Sequence, residues 1–172
     1  MKALPSSFFD RPTLDVARDL LGCYLVRAHK SGLQRSMITE TEAYDGPDDL
    51  ACHASKGKTS RTEIMFGPAG YIYVYFVYGM HWMLNIVTGP KNYPAAVLIR
   101  GLEGIPGPGR LTKKLSINGF INKKRLGRAS GLWIEPRSRE IAPSQILSSA
   151  RIGVAYAGPL WSEKKYRFTF KQ

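Results

Sequence analysis

The chain has 172 residues and 44% hydrophobic content, the size of one ordinary globular domain (residues 1–172) with a real core. Its 25 basic against 13 acidic residues give a net charge of +12, which points to a polyanionic partner, although some basic proteins have none. Two cysteines, Cys23 and Cys52, make no disulfide framework and read as small buried apolar groups. The N-terminus MKALPSSFFDRP lacks the apolar core of a secretory signal, so the expected compartment is intracellular: cytoplasm or nucleoid in a bacterium. The longest apolar run, Tyr71 to Val87, is shorter than a bilayer span and carries His81 and Asn85, so no membrane helix is expected.

Pro12 to Leu21 reads as a helix, with Asp10 as its cap, Pro12 in its first turn, and Leu14, Ala17 and Leu21 on one face. Cys23 to Arg27 reads as a strand, Ser31-Gly32 as a turn, and Arg35 to Tyr44 as the returning strand. On that second strand Glu40, Glu42 and Tyr44 share a parity, which turns two carboxylates and a phenol to one face. Placed just before the break at Asp45-Gly46-Pro47, they look like the mouth of a site; glutamates on strands more commonly face water, and that alternative stands.

Pro47 to His53 reads as a short helix with Asp48 and Asp49 at its positive end. A lone histidine such as His53 is more commonly structural than functional. Ala54 to Ala69 is a long polar loop holding Lys56, Lys58 and Arg61, of a length that is usually functional or disordered. Tyr71 to Tyr78 alternates as a strand with two apolar faces, so a central, doubly covered position is expected. The run YIYVYFVYGMHWMLN, Tyr71 to Asn85, is richer in phenols than a core strand requires, and flat, polar-tipped rings suit nucleobases. Gly79-Met80 breaks it, leaving Tyr78 where a side chain can protrude.

Leu84 to Thr88 and Ala95 to Leu102 read as strands, and Arg100 within AAVLIRGL must be paired or face a wet cavity. From Gly104 to Ile134 there is no acidic residue, while Arg110, Lys113, Lys114, Lys123, Lys124, Arg125 and Arg128 are present, a footprint for phosphates. Pro108-Gly109 followed by RLTKKL reads as a helix. Leu132 to Glu135, Arg151 to Val154 and Tyr166 to Phe170 read as strands. The class expected is α+β: a single compact domain with a curved, mostly antiparallel β-sheet flanked by short helices.

The motifs ITETEAYDGPDD, YVYFVYGM, the asparagine at position 85 and VLIRGLEG, in that order and spacing, resemble the alkyladenine (3-methyladenine) DNA glycosylase family from about Leu20 to Phe170. The resemblance implies a monomeric, cofactor-free, metal-free, monofunctional glycosylase that flips damaged purines out of double-stranded DNA and hydrolyses their bond to deoxyribose. It makes Glu42 the general base, and it has Arg100 and the backbone carbonyl of Ile152 hold the attacking water. It sets Tyr44, His53 and Tyr75 around the extruded base, Asn85 against the 2-amino group of guanine, and Tyr78 in the gap left in the duplex. Arg61 falls in the family's phosphate-contacting loop, and Arg110, Lys113 and Lys114 are the candidate DNA contacts on the basic stretch.

Two rivals remain at this point. A metal-dependent nuclease has ligands in Glu40, Glu42, Asp45, Asp48, Asp49 and His53, though no spacing among them matches a defined metal motif. A non-enzymatic nucleic-acid binder would use the tyrosines as a stacking platform, and Glu42 speaks against it because its charge repels phosphate.

Overall fold

The structure of the protein is a computed structural model that describes residues 2–29 and 32–170. The Ser31 half of the predicted turn lies outside the described residues. The architecture is α+β, as expected: a curled sheet in which every strand pairing is antiparallel, with short helices against it. The strands are β1 (Tyr24–His29), β2 (Gly32–Asp45), β3 (Ile72–Val77), β4 (His81–Val87), β5 (Ala95–Leu102), β6 (Ile105–Pro106), β7 (Leu132–Glu135), β8 (Ile146–Ser149) and β9 (Arg167–Phe170). The main path runs β3-β4-β5-β2-β1-β7; β6 adds to β5, and β9 joins β2 and carries β8.

Strand β2 organises the sheet because it serves three neighbours. Its first half pairs with β1 from Gly32 to Met37. Its second half pairs with β5 along one edge and, from Glu40 to Glu42, with β9 along the other. Irregularities in register fall between Ile38 and Thr41, and such bulges bend a strand and increase its twist. The sheet curls there. Its inner face buries Leu25, Ile38, Ile72, Leu84, Ile86 and Ile99, closed by Phe9, Val16 and Leu20 from the N-terminal helices.

Several predicted elements differ from those observed. The first long helix is α2 (Thr13–Asp19), shorter than Pro12 to Leu21, with Pro12 at the N-cap in an extended conformation. Asp10 does not cap it. A short helix forms upstream, α1 (Ser6–Phe9), and Asp10 closes that one through its N–H to Ser6 O. The helix expected over Pro47 to His53 is absent. Asp49 instead accepts the N–H groups of Asp45 and Ala51, both at 3.1 Å, and such local side-chain bonds compete with helix formation. The 54–69 loop is ordered by two 3₁₀ turns, His53–Lys56 and Glu63–Phe66, and by reciprocal bonds between Thr59 and Thr62.

Strand β3 is an edge strand, not a central one: among the described residues β4 is its only neighbouring strand. Its outer edge is covered by a loop: Ile72 N–H reaches Lys124 O, Lys123 N–H reaches Ile72 O, and Val74 N–H reaches Asn122 Oδ1 at 3.0 Å. Strand β4 begins at His81, three residues before the predicted start. Arg151 to Val154 is loop rather than strand, with Gly153 at φ +76°, and the strand in that region is β8. The basic helix is present as α3 (Pro108–Lys114), and α4 (Gly158–Glu163) follows the 151–154 loop. Among the described residues no helix is long and apolar enough to cross a membrane.

Candidate active site

The shared parity of Glu42 and Tyr44 survives folding because the register shifts end at Thr41, ahead of both. The Tyr44 hydroxyl donates to Glu42 Oε2 at 2.9 Å, and Ile152 N–H donates to Glu42 Oε1 at 2.9 Å. Strand β5 adds Arg100, whose Nε lies 3.0 Å from Glu40 Oε1 and 3.5 Å from Glu42 Oε1. Glu40 is held further by Arg167 Nη1 at 2.8 Å. Glu42 is 0% exposed, and burial raises its carboxyl pKa above the ordinary value. Arg100, the Ile152 amide and the Tyr44 hydroxyl pull it back without cancelling the shift. The group is a carboxyl in an enclosed place, aimed at by three donors.

In front of it lies a cavity of about 590 Å³. Glu42, Tyr44, His53, Tyr75, Tyr78, Arg100, Arg110 and Ile152 all line it, so eight of the residues singled out in the sequence meet at one place. Adjoining it is a cleft of about 30 Å³ shared by Tyr44, His53, Tyr75, Tyr156 and Asn85. Asn85 is buried there and donates to Tyr73 O at 3.3 Å. The rings of His53 and Tyr75 meet edge-on at 4.6 Å, and Tyr73 stands behind Tyr75 at 5.1 Å. His53 Nδ1 is 3.0 Å from the Tyr73 hydroxyl. Burial first, and the charge of Arg61 second, push the His53 pKa down to about 4, so the ring is neutral at physiological pH.

Tyr78 stands at the tip of the β3–β4 hairpin and is 82% exposed. Tyr78 and Gly79 both take positive φ (53° and 65°), and Met80 N–H closes the turn on Val77 O. Two left-handed residues in succession make a tight hairpin turn. Glycine suits that geometry; tyrosine is strained in it, and strain of this kind collects at functional sites. Lys113 and Lys114 are exposed on α3, away from the cavity. Arg61 does not line the cavity either: its guanidinium lies over the Tyr75 ring, 4.9 Å from the centroid.

Three features escaped the sequence reading. Glu40, for which the sequence offers only its parity and a place among the rival nuclease's ligands, fixes Arg100. Tyr156 lines both cavities and bonds Ala51 O at 2.8 Å. Asp49 and Arg151, both 0% exposed, form a two-pronged ion pair at 2.5 and 2.8 Å. Arg151 also donates to Ala43 O and Trp161 O and lies 4.9 Å from the Tyr44 ring centroid. Among the described residues no three His, Cys, Asp or Glu side chains are grouped to hold a metal ion. Glu40 and Asp49, two of the candidate ligands, are engaged by arginines instead.

The family model for methylpurine-DNA glycosylase matches residues 7–106 and 104–172, nearly the whole chain. The chain belongs to the methylpurine-DNA glycosylase family. Relatives agree in length as well as in sequence. A Legionella pneumophila (strain Corby) protein is 44% identical over 99% of this chain and 96% of its own, and one from Myxococcus xanthus is 46% identical over 97% and 89%. A Methanocella arvoryzae protein is 44% identical over 92% and 88%. All three bear the name "Putative 3-methyladenine DNA glycosylase". Family membership makes this chain a DNA glycosylase, a hydrolase of DNA repair that acts on DNA. The described cavity therefore belongs to an enzyme of that chemistry, and the net charge of +12 suits its polyanionic substrate.

Proposed function

We propose that the enzyme swings a damaged purine, of the 3-methyladenine, 7-methylguanine, hypoxanthine and ethenoadenine class, out of duplex DNA and hydrolyses its N-glycosidic bond with water activated by Glu42. The observation that carries this is a buried carboxyl, 3.5 Å from an arginine, at the wall of a cavity lined by Tyr44, His53 and Tyr75. Extrusion costs about a few kcal/mol, and stacking on aromatic rings returns roughly 1–3 kcal/mol per base. Tyr78 is the wedge that fills the vacated space. Asn85, buried in the inner cleft, crowds the 2-amino group of a normal guanine. Arg110, Lys113 and Lys114 hold the backbone phosphates.

As the bond from C1′ to the purine nitrogen stretches, positive charge builds on the sugar, and the Glu42 carboxylate stabilises it. Water held between Glu42, Arg100 and the Ile152 carbonyl then attacks C1′. Glu42 takes one proton, the base leaves with the bonding pair, and the sugar keeps the hydroxyl. An alkylated purine departs neutral because it began as a cation; an uncharged purine must gain a proton to leave. With water as nucleophile the product is an intact strand carrying an abasic site, and the enzyme is monofunctional and acts as a monomer.

The deciding experiment incubates the protein with methylated and with inosine-containing duplex, in the presence and absence of EDTA. Free purine and alkali-labile sites are expected in all reactions. Strand scission that EDTA abolishes, or no free base from either duplex, overturns the reading. For the wedge, Tyr78→Ser is expected to weaken binding to lesion-containing duplex about tenfold while leaving affinity for undamaged duplex little changed. Equal affinities of variant and parent for the lesion duplex, measured by fluorescence anisotropy, remove Tyr78 from that role.

A further inference from the structure

Arg61, in the loop expected to meet phosphate, packs on an aromatic ring. Its guanidinium carbon is 4.9 Å from the centroid of Tyr75, a ring that lines the cavity, while Arg61 itself does not line it. The cation is thus a neighbour of the ring without being part of the cavity wall, and it is exposed to solvent. Two other arginines near these walls are compensated: Arg151, 4.9 Å from Tyr44, is paired with Asp49, and Arg100 with Glu40 and Glu42, whereas Arg110, on the exposed α3 side of the cavity, has no carboxylate partner among the described residues and is not stacked on a ring of the base slot. No carboxylate among the described residues pairs with Arg61. The Tyr73 ring packs 5.1 Å from Tyr75, and its hydroxyl meets His53 Nδ1 at 3.0 Å.

A purine stacked on Tyr75 sits within about 9 Å of this uncompensated charge, the measured centroid distance plus at most a stacking distance. Purines alkylated at N3 or N7 carry a positive charge in DNA, whereas hypoxanthine does not. Glu42 attracts a cationic base whether or not Arg61 is present, so the arginine contributes a separate, repulsive part. We infer that Arg61 is a specificity-determining residue of the base slot, weighting it toward neutral purines and against cationic alkylpurines. The inference rests on the base-flipping reading above. It also makes chemical sense: a cationic purine is already a good leaving group, so binding preference is most useful for the neutral ones.

The test compares parent, Arg61→Gln and Arg61→Lys in single-turnover kcat/KM on two duplexes of identical sequence, one holding hypoxanthine and the other 7-methylguanine. Arg61→Gln is expected to lower the hypoxanthine-to-7-methylguanine ratio about fivefold, a Coulomb effect reduced by solvent screening. Arg61→Lys keeps the charge and is expected to keep the ratio, and the salt dependence of binding should be the same for all three proteins. Equal losses on both duplexes, with a salt slope shallower by about 0.9, would instead make Arg61 a phosphate contact and overturn the inference. An unchanged ratio in Arg61→Gln overturns it as well. If the parent enzyme releases neither base, the proposed function itself fails, an outcome distinct from an active parent whose selectivity ignores Arg61.

Discussion

Glu42→Gln is expected to abolish base release, by at least about a hundredfold, and at neutral pH to leave the fold as stable as before or more so. The two halves of this outcome have one cause. Burial raises the Glu42 pKa above its unfolded value, so the ionised form is destabilised by folding. For such a group the stabilising contribution is complete below the unfolded pKa and is lost as pH rises through the folded one. At neutral pH the carboxylate is therefore a burden on stability, and removing its charge lifts that burden. Glutamine also fits the surroundings: its oxygen can accept from Ile152 N–H and Arg100, and its amide can donate to the Tyr44 oxygen, which accepts equally well. Thermal melting of parent and variant at pH 7 and at pH 4 measures the effect. A clear fall in Tm at pH 7, or normal base release, contradicts the assignment.

The same shift fixes where activity is lost in acid. A general base works only when ionised, so the acid limb of single-turnover kcat/KM falls above the ordinary glutamate pKa of 4.5. His53 cannot supply that limb, since its pKa of about 4 lies below it. A limb unchanged in His53→Gln and located above pH 4.5 belongs to Glu42.

What could be read from the sequence was local. The runs Ala95–Leu102 and Leu132–Glu135 are strands at the predicted residues, because short, almost wholly apolar stretches bounded by turn residues leave few alternatives. The common face of Glu42 and Tyr44 follows from the two-residue period of a strand, and the bulge upstream does not disturb it. Strand β3 was misplaced in the sheet because two apolar faces suggest a central strand; here one face meets the core and the other lines the cavity, while loop 122–126 seals the edge. Such covering by a remote segment leaves no trace in the strand's own residues. Asp49 illustrates the same limit. Beside Asp48 it resembles a helix start, and nothing nearby reports that its partner is Arg151, 102 residues away. Motif position puts Arg61 in a loop but carries nothing about its contact with the Tyr75 ring.

The buried pair yields the largest expected effect on stability. In Arg151→Met the Asp49 carboxylate is left in the interior with only the N–H groups of Asp45 and Ala51, and uncompensated buried charges of this kind cost about 3–5 kcal/mol. For a chain of this length the melting temperature should fall by roughly 6–20 °C. Asp49→Asn alone leaves the guanidinium without its counter-charge and should be similarly costly. The double variant Asp49→Asn/Arg151→Met removes both charges and should recover much of the loss, because the pair's mutual attraction is offset by the desolvation of its members. The pair has a second consequence, since Arg151 immediately precedes the residue whose amide bonds Glu42, and its guanidinium backs the Tyr44 ring. Releasing loop 151–154 withdraws one of the three donors that restrain the Glu42 pKa, so the acid limb of activity should move to higher pH in Arg151→Lys, which keeps the charge but not the two-pronged grip. A single variant that melts with the parent, or a Lys variant with an unmoved acid limb, would show that the 45–53 turn and the 151–154 loop hold their places beside Glu42 without this ion pair.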